Sequence, residues 1–444
     1  MKRETLPGWS RWGNKQGVII MKMNKTYHIL FLMLLLLFVS VISSEAAVDI
    51  QCPCDFNGDG DCEDINDTVP PLYNEPETQA TLGVTCMHLG GGDGFARMAD
   101  DNGRPQYMFG FSNLTGIPEA EVMQSGILAA AWPAPAIAVN QGDEFYLSLT
   151  NVGMLIRPDL FDPHTVHFHG FPQSSTVFDG LPESGLSINM GATLTYYYNL
   201  VEPGTYMYHC HVEATEHMQM GMLGNLYVRA GQNNLPNNTD LNGFTHQTGF
   251  TYAYNDGDGS TYYDVDYPIQ LGGFDPDFHD ASWTVQPLPF AMMWDRYPMI
   301  NGRGYPDTVT IGSIDQPLDP DDGSDLNGPG VDSQVEDSLI IAAPGDLILL
   351  RLSNLNITVA HTLISPSIPM TVVGIDAKEL RSTTGEVLHY VTNSVTLSGG
   401  MAADVILNTS GIAPGTYYLY AANLQYLSNL DEDFGGMMTE IRIQ

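Results

Sequence analysis

Two short segments of the chain concentrate side chains that bind soft or borderline metal ions. These side chains are His164, His167, His169, His209, Cys210, His211, His217 and Met222. Thiolate, thioether and imidazole ligands together favour copper over magnesium or calcium. In a β-strand, side chains at i and i+2 share a face and the residue between them points the other way. Cys210 is therefore expected to face one side of its strand and His209 and His211 the other, so that one strand serves two metal centres.

The pattern around these segments predicts an all-β protein. Short runs rich in Val, Ile, Tyr and Thr alternate with Gly, Pro, Asn and Asp clusters, which is typical of β-sandwiches. Composition and spacing predict a signal segment at 1–46, a small Cys-rich acidic module at 47–95, a first β domain at 96–231, a linker at 232–265 and a second β domain at 266–444.

The two β domains look like internal repeats of one another. Residues 141–149 parallel 344–352, and 203–208 parallel 414–419. The second copy lacks most of the ligands. Where the first has His209, Cys210 and His211, the second is expected to place 421–423 (Ala-Ala-Asn), and of the three upstream histidines it keeps only His361. The second domain is therefore predicted to be a degenerate scaffold without a copper ligand set.

These motifs resemble those of the two-domain multicopper oxidases, a family that includes laccase-like and copper nitrite reductase-like proteins. The resemblance covers roughly residues 96–444 and rests most specifically on 164–170, 179–183 and 209–222, with support from 271–279 and 300–307. It implies two cupredoxin-like Greek-key β-sandwich domains. It also implies copper-dependent oxidoreductase activity, in which electrons from a reducing donor are used to reduce O2.

The resemblance implies a type 1 (blue) copper held by His164, Cys210 and His217, with Met222 as the axial ligand. Two imidazoles, a thiolate and a weak thioether make an electron-transfer copper site. Met218 and Met220 are the alternative axial residues. The gap from Cys210 to His217 is two residues longer than in the laccase pattern, so the conformation of this loop is not fixed by the resemblance.

The resemblance further implies that four histidines bind half of a type 2/type 3 copper cluster. They are His167, His169, His209 and His211. His209, Cys210 and His211 would then form the catalytic connection between the two copper sites. A complete cluster needs four more histidines, and besides His361 the second domain offers only His279 and His389.

Three outcomes therefore remain open at the level of the sequence. Two first domains can pool their histidines in a homo-oligomer, another protein can supply the missing half, or the chain can hold only the blue copper as a non-enzymatic electron-transfer or surface-binding protein. The expected electron donor is a small molecule, a metal ion or a redox protein, and O2 is the acceptor if the cluster is complete.

Charge and the N-terminal sequence predict an exported protein that does not bind nucleic acid. The chain has 52 acidic and 16 basic residues, a formal net charge of −36, which disfavours polyanionic partners. Residues 29–42 form an apolar run after two lysines and before small residues, as in a signal peptide, and the run is short for a membrane span. We expect a secreted, periplasmic or cell-surface location, with no membrane span in the mature chain.

Four of the five cysteines and an acidic loop lie near the predicted mature N-terminus. In an exported protein, Cys52, Cys54, Cys62 and Cys86 are expected to form two disulfides, with a four-thiolate zinc site as the alternative. The intervening loop resembles an EF-hand or dockerin-type calcium loop. Its candidate calcium ligands are Asp55, Asn57, Asp59, Asp61, Glu63 and Asn66. A solvated acidic turn is the alternative, because Asn66 stands where Glu or Asp is usual.

Overall fold

A computed structural model describes residues 48–53, 83–100, 103–284, 287–328, 330–430 and 432–444. The predicted signal segment, Cys54, Cys62 and the candidate calcium loop lie outside these residues. No helix in the described part of the chain is long and apolar enough to cross a membrane.

The first β domain is a sandwich of two four-stranded sheets. Its strands are β1 (Val84–Arg97), β2 (Pro105–Asn113), β3 (Ala134–Asn140), β4 (Glu144–Gly153), β5 (His167–His169), β6 (Thr193–Asn199), β7 (Gly204–His209) and β8 (Leu223–Arg229). One sheet has the order β2-β1-β4-β6 and the other the order β3-β8-β7-β5. Inward-facing aromatic rings fill the space between the sheets, and Phe168 stacks on Tyr198 with ring centroids 4.0 Å apart.

The segment that follows is folded against the second domain. It contains β9 (Asp240–Leu241), β10 (Phe244–Thr245), β11 (Thr251–Tyr252) and β12 (Tyr262–Tyr263). Tyr254 and Tyr263 are buried in one cluster with Leu349 and Ile406. Part of the predicted linker 232–265 is therefore packed on the second domain through its tyrosines. Asn255 of the same segment donates a hydrogen bond of 2.7 Å to the Gln141 side-chain oxygen of the first domain.

The second β domain is also a two-sheet sandwich. Its strands are β13 (Val265–Phe274), β14 (Tyr297–Ile300), β15 (Ile340–Ala342), β16 (Leu347–Asn354), β17 (His361–Ile364), β18 (Met370–Ile375), β19 (Lys378–Glu379), β20 (Tyr390–Thr392), β21 (Ser394–Leu397), β22 (Met401–Asn408), β23 (Gly415–Ala421) and β24 (Met438–Ile443). One sheet has the order β14-β13-β16-β22-β18-β19, with β20 also paired to β18, and the other has the order β15-β24-β23-β17-β21.

The two domains share their strand pairing. β1 runs parallel to β4 as β13 runs parallel to β16, and β3 runs parallel to β8 as β15 runs parallel to β24. The remaining pairs of the central strands are antiparallel. The predicted class, all-β with two cupredoxin-like sandwiches, is confirmed.

The register of the second domain corrects the sequence alignment of the ligand segment by one residue. His167 pairs with His209 in the first domain, and Ile364 pairs with Tyr420 in the second. Residues 209–211 therefore correspond to 420–422 (Tyr-Ala-Ala), and not to 421–423. A shift of one residue in a strand exchanges the two faces, so the position of Cys210 is taken by the buried residue Ala421.

Three short α-helices connect the strands in the part of the chain that the structure describes. They are α1 (Glu119–Ser125), α2 (Ala214–Met220) and α3 (Pro276–Thr284). Single 3-10 turns span Thr176–Phe178, Gly231–Asn234, Phe290–Met292, Asp307–Val309 and Leu424–Leu427. Helix α2 occupies the long loop between Cys210 and Met222, and α3 of the second domain packs on β2 of the first.

The N-terminal part of the first sheet begins earlier than predicted. A disulfide joins Cys52 to Cys86 in β1. It is one of the bonds that the three open pairings of the four cysteines allowed, and it is incompatible with a zinc site made of all four thiolates. Residues 84–95 belong to the first domain, and not to the Cys-rich module, because β1 pairs with both β2 and β4. The glycine run in β1, which reads as a loop, allows close approach: a Cβ at Gly91 would lie 2.9 Å from the His164 ring.

The two sandwiches pack on each other through an interface that contains both apolar and polar contacts. Trp132 of the first domain stacks on Phe274 of the second, with ring centroids 4.6 Å apart, and both belong to a buried cluster with residues of both domains. Thr205 donates a hydrogen bond of 2.6 Å to the Asp404 carboxylate across the same interface. This interface brings the second domain against the histidine segments of the first.

Candidate copper centres

The first candidate centre, here named the Cys210 site, contains His164, Cys210 and His217. One ligand atom from each residue lies within 4.8 Å of the others, and His217 Nδ1 is 3.2 Å from Cys210 Sγ. Three separate elements supply them: His164 lies in a bridge to Ile188, Cys210 follows β7, and His217 is in α2. The structure thus brings together the three residues that the sequence predicted as type 1 ligands.

The chemistry of the Cys210 site fits a copper ion. Within the described part of the chain, neither ring nitrogen of His164 has a hydrogen-bond partner, although the ring is fully buried. Burial lowers the pKa of His164 well below its usual value and that of His217 to about 4, so both imidazoles are neutral ligands. Burial also raises the pKa of the Cys210 thiol to about 11, so metal binding would displace its proton.

The three methionines near this site occupy different surroundings. Met222 and Met220 are buried in the same core cluster as Cys210, and the Met222 carbonyl accepts a hydrogen bond of 3.1 Å from the Cys210 amide. Met218 instead lines a cavity next to the other histidines. This separation argues against Met218 as the axial residue, whereas Met222 is held directly beside Cys210 by the backbone.

The second candidate centre, the histidine cluster, lies on the opposite face of the same strand. Ligand atoms of His167, His169 and His209 lie within 4.8 Å of one another. The His211 ring centroid is 5.2 Å from that of His167 and 5.6 Å from that of His209. Alternation along β7 and its continuation therefore directs His209 and His211 away from Cys210, as predicted.

Backbone carbonyls orient the rings of the cluster. His167 Nδ1 donates to the Asp179 carbonyl at 2.6 Å, and His209 Nδ1 donates to the Cys210 carbonyl at 2.8 Å. In each ring this leaves Nε2 as the unprotonated ligand atom, the usual way in which an outer hydrogen bond fixes a metal-binding tautomer. The Nε2 atom of His209 lies 3.4 Å from His169 Nδ1. Burial lowers the pKa of His209 to about 3, so it too is neutral. These residues fit a metal ion that prefers imidazole ligands.

The histidine cluster opens onto a cavity between the two domains, here named the histidine cavity. Its volume is about 550 Å³. The second domain forms the opposite wall with Leu355, Asn356, Ile357, Thr358, Val359, Ala360, Gly399 and Gly400. Among the described residues, the second domain contributes no histidine to this cavity. The cluster is therefore a four-histidine set from one domain that faces polar and apolar groups of the other.

The remaining histidines of the second domain have other partners. His279 contacts the carbonyls of Tyr107 at 2.6 Å and Gln219 at 3.0 Å, and His389 lies 3.6 Å from the Glu379 carboxylate. His361 is buried with its Nε2 atom 3.3 Å from the Asn356 amide. None of these three histidines lies in either candidate centre.

Comparison with known proteins identifies the family. Two family models, both described as multicopper oxidase, match residues 115–233 and 298–441, together more than half of the 444 residues. The chain belongs to the multicopper oxidase family.

Similar proteins match parts of this multicopper oxidase. A segment is 32% identical over 123 residues to laccase abr2 of Aspergillus fumigatus, which is 27% of this chain and 19% of that protein. Another is 36% identical over 80 residues to the multicopper oxidase MmcO of Mycobacterium tuberculosis, which is 18% of this chain and 14% of that protein. These alignments span less than a fifth of the relatives' length, so they do not carry over a whole protein's activity.

Solved structures agree on the fold. The blue copper oxidase from Nitrosomonas europaea superposes with a TM-score of 0.55 at 22% identity, covering 80% of this chain and 85% of that one. A copper nitrite reductase from the same organism gives a TM-score of 0.51 at 16% identity, covering 81% and 93%. Both similarities concern the arrangement of the two domains.

Several polar residues of this multicopper oxidase lie beside the candidate centres and were not found from the sequence. Asp295 is buried and bonds to Gln219 of α2 and to Asn356 and Thr358 of the cavity wall. Burial raises the pKa of Asp295 to about 6, although its hydrogen bonds lower it in part. No motif marks these residues, because the contacts join segments that are far apart in the chain.

Proposed function

We propose that this chain is a copper-dependent oxidoreductase in which the Cys210 site is a type 1 copper site and the histidine cluster holds further copper. His164, Cys210 and His217, with Met222 as axial residue, would bind the first copper. His167, His169, His209 and His211 would bind the second group. Copper at these sites would take electrons singly from a reducing donor and deliver them to O2.

The observation that carries the proposal is the position of Cys210 between His209 and His211. Each ligand group has three donor atoms within 4.8 Å of one another, and the two groups lie on opposite faces of one strand. Cys210 is bonded through the backbone to both histidines, so the chain itself connects the two sites. The protein's residues would thus exclude water from the Cys210 site, where all three ligands are fully buried, and leave the histidine cluster accessible to a small substrate.

Completion of the cluster would require ligands from outside the chain. The cavity wall formed by the second domain carries Asn356 and Thr358 as its polar side chains, so further imidazoles would come from a second copy or another protein. A homo-oligomer is therefore part of the proposal. The electron donor would be a small molecule, a metal ion or a redox protein.

A second candidate function is supported by the same cavity wall. If no further ligands reach the histidine cluster, the chain would act as a blue-copper electron-transfer or surface-binding protein without oxygen reduction. Three measurements on one copper-loaded preparation distinguish the oxidase from the electron-transfer protein. They are the number of coppers per chain, the oligomeric state and the uptake of oxygen. More than two coppers per chain with oxygen uptake would support the oxidase, and one copper in a monomer without uptake would support the carrier.

Two features of the N-terminal segment remain proposals. We propose that residues 1–46 direct export to the periplasm, the cell surface or the medium, and that Asp55 to Asn66 bind calcium. Support comes from the sequence alone: an apolar run at 29–42, and acidic and amide oxygens at alternate positions of the loop. N-terminal sequencing of the exported protein and calcium titration of the chain test them.

A further inference from the structure

Helix α2 carries residues of both candidate centres on one short element. It holds His217 of the Cys210 site and Met218 of the histidine cavity, and it ends at Met220, just before Met222. A helix of 7 residues has little stability of its own, because helix nucleation is costly. The position of α2 therefore depends on contacts with the rest of the protein. The positions of the proposed ligands His217 and Met222 depend on the same contacts.

Contacts from the second domain converge on Gln219 in this helix. The Gln219 amide donates to the Gly273 carbonyl and to Asp295 Oδ1, each at 3.1 Å. The Gln219 carbonyl lies 3.0 Å from His279 Nε2. Gln219 is only 2% exposed, so these contacts are not in exchange with solvent. The second domain, whose described residues belong to neither group of candidate ligands, thus holds the element that carries His217.

Asp295 extends this connection to the histidine cavity. Its second oxygen, Oδ2, accepts hydrogen bonds from Asn356 Nδ2 at 2.6 Å and from Thr358 Oγ1 at 2.5 Å. Both donors line the cavity that faces the histidine cluster. One carboxylate therefore bonds to the helix of the Cys210 site through one oxygen and to the wall of the cavity through the other.

We propose that Asp295 is a positioning residue that couples the two centres. Its hydrogen bonds fix the position of Gln219, and hence of α2, relative to the cavity wall at Asn356 and Thr358. A ligand that enters the histidine cavity and displaces this wall would then alter the Cys210 site through Asp295. The coupling part of this inference rests on the proposed function, whereas the positioning of α2 does not. Coupling of this kind needs a physical element shared by both sites, and Asp295 supplies it.

The test compares Asp295→Asn with a matched control, Asp404→Asn. Asp404 is also a buried carboxylate that joins the two domains, through Thr205 Oγ1 at 2.6 Å and Tyr254 Oη at 2.5 Å, but it bonds to neither α2 nor the cavity wall. In metal-free protein, amide hydrogen exchange of residues 214–222 should be at least tenfold faster in Asp295→Asn than in the wild type. It should be unchanged in Asp404→Asn. Equal exchange in the wild type and Asp295→Asn would overturn the positioning role.

Copper-loaded protein tests the coupling. At a fixed redox poise, the ratio of reduced to oxidised Cys210 site should change at least tenfold in Asp295→Asn, equivalent to 59 mV for one electron, and not in Asp404→Asn. Azide, used as a small anionic probe of the histidine cavity, should shift the visible band of the wild type and leave that of Asp295→Asn in place. An equal azide shift in both proteins would overturn the coupling.

Thr358→Val separates the two halves of the proposal without disturbing α2. This variant keeps the bond between Asp295 and Gln219, so hydrogen exchange of 214–222 should match the wild type while the azide shift is lost. Faster exchange in Thr358→Val would contradict the assignment of Asp295 as the link. If wild-type protein loaded with copper shows no visible band, the proposed function and the coupling both fail, and the exchange experiment still decides the positioning of α2.

Discussion

Gly400 of the second domain lies directly against the ring of His169 in the first. A Cβ added at Gly400 would come 2.9 Å from His169 Nε2, and the backbone of Gly400 has φ +85°. The two domains therefore meet at the histidine cluster with no room for a side chain. This close approach makes the second domain part of the candidate site although it supplies no imidazole from its described residues.

Gly400→Ala should displace the His169 ring and lower copper binding at the histidine cluster, while the Cys210 site on the other face of the strand keeps its visible band. Copper per chain and the absorption spectrum report the two sites separately. Gly411→Ala is the control, because Gly411 has a similar φ of +79° and open space around it. The control should lower the free energy of unfolding by about 1 kcal/mol and leave the number of coppers per chain unchanged. Loss of the visible band in Gly400→Ala would contradict the separation of the two sites.

Cys210→Ser should abolish the visible band, because a thiolate is needed for a strong charge transfer to copper and a hydroxyl does not replace it. The methionines around Cys210 should then distinguish the axial ligand. Met222→Leu should change the band position and the reduction potential, whereas Met220→Leu should behave as a volume-conserving core substitution that costs under about 1.5 kcal/mol. Absorption spectra and thermal unfolding of the two variants check this. A spectral change in Met220→Leu alone would assign the axial position to Met220.

The fold class was predictable because it depends on local periodicity, whereas the ligand sets were implied by the resemblance to the multicopper oxidases. Alternation placed Cys210 and His209 on opposite faces, and the repeated Pro-Gly-Thr-Tyr segments at 203–206 and 414–417 revealed two copies of one domain. The boundary predicted between 95 and 96 falls inside β1, where the glycine run around Gly91 permits close approach. Here it makes room for the ring of His164.

The polar groups around the sites were not predictable, because each depends on contacts between distant segments. Asp295 bonds to Gln219 and to Asn356, which lie 76 and 61 residues away in sequence. No local pattern encodes such a meeting. The one-residue error in aligning 420–422 has a different origin. The repeat of 203–208 at 414–419 already places Tyr420 at the position of His209, and the pairing of Ile364 with Tyr420 agrees.

His361→Gln should leave copper content and the visible band unchanged, because the position of Cys210 is taken in the second domain by Ala421, which pairs with Leu363 and offers no thiolate. His361 occupies in the second domain the position of His164 in the first, and its ring packs 5.1 Å from that of Tyr426. His164→Gln is the matched variant and should lose the band. Metal analysis and absorption of both proteins make the comparison. A loss of copper in His361→Gln would mean that the second domain keeps a binding site.

Glu336→Gln should change how stability depends on pH. Burial raises the pKa of Glu336 from 4.5 to about 7, and its Oε2 atom has no hydrogen-bond partner among the described residues. A carboxyl whose pKa is raised on folding adds stability below its unfolded pKa, and this contribution is lost as pH rises through the folded pKa. Relative to Glu336→Gln, the wild type should therefore lose stability between pH ~5 and ~8, by roughly 1–3 kcal/mol at about 1.4 kcal/mol per pKa unit.

Urea unfolding of metal-free protein at several pH values measures this difference. Self-repulsion from the net charge of −36 acts on both proteins almost alike, so the difference between their midpoints isolates the half-buried Glu336 carboxyl. Glu386→Gln provides the control, because it removes one carboxyl from an exposed position of the surface. Parallel profiles for the wild type and Glu336→Gln would show that the Glu336 carboxyl titrates in the folded protein as it does in the unfolded chain, and that water reaches it.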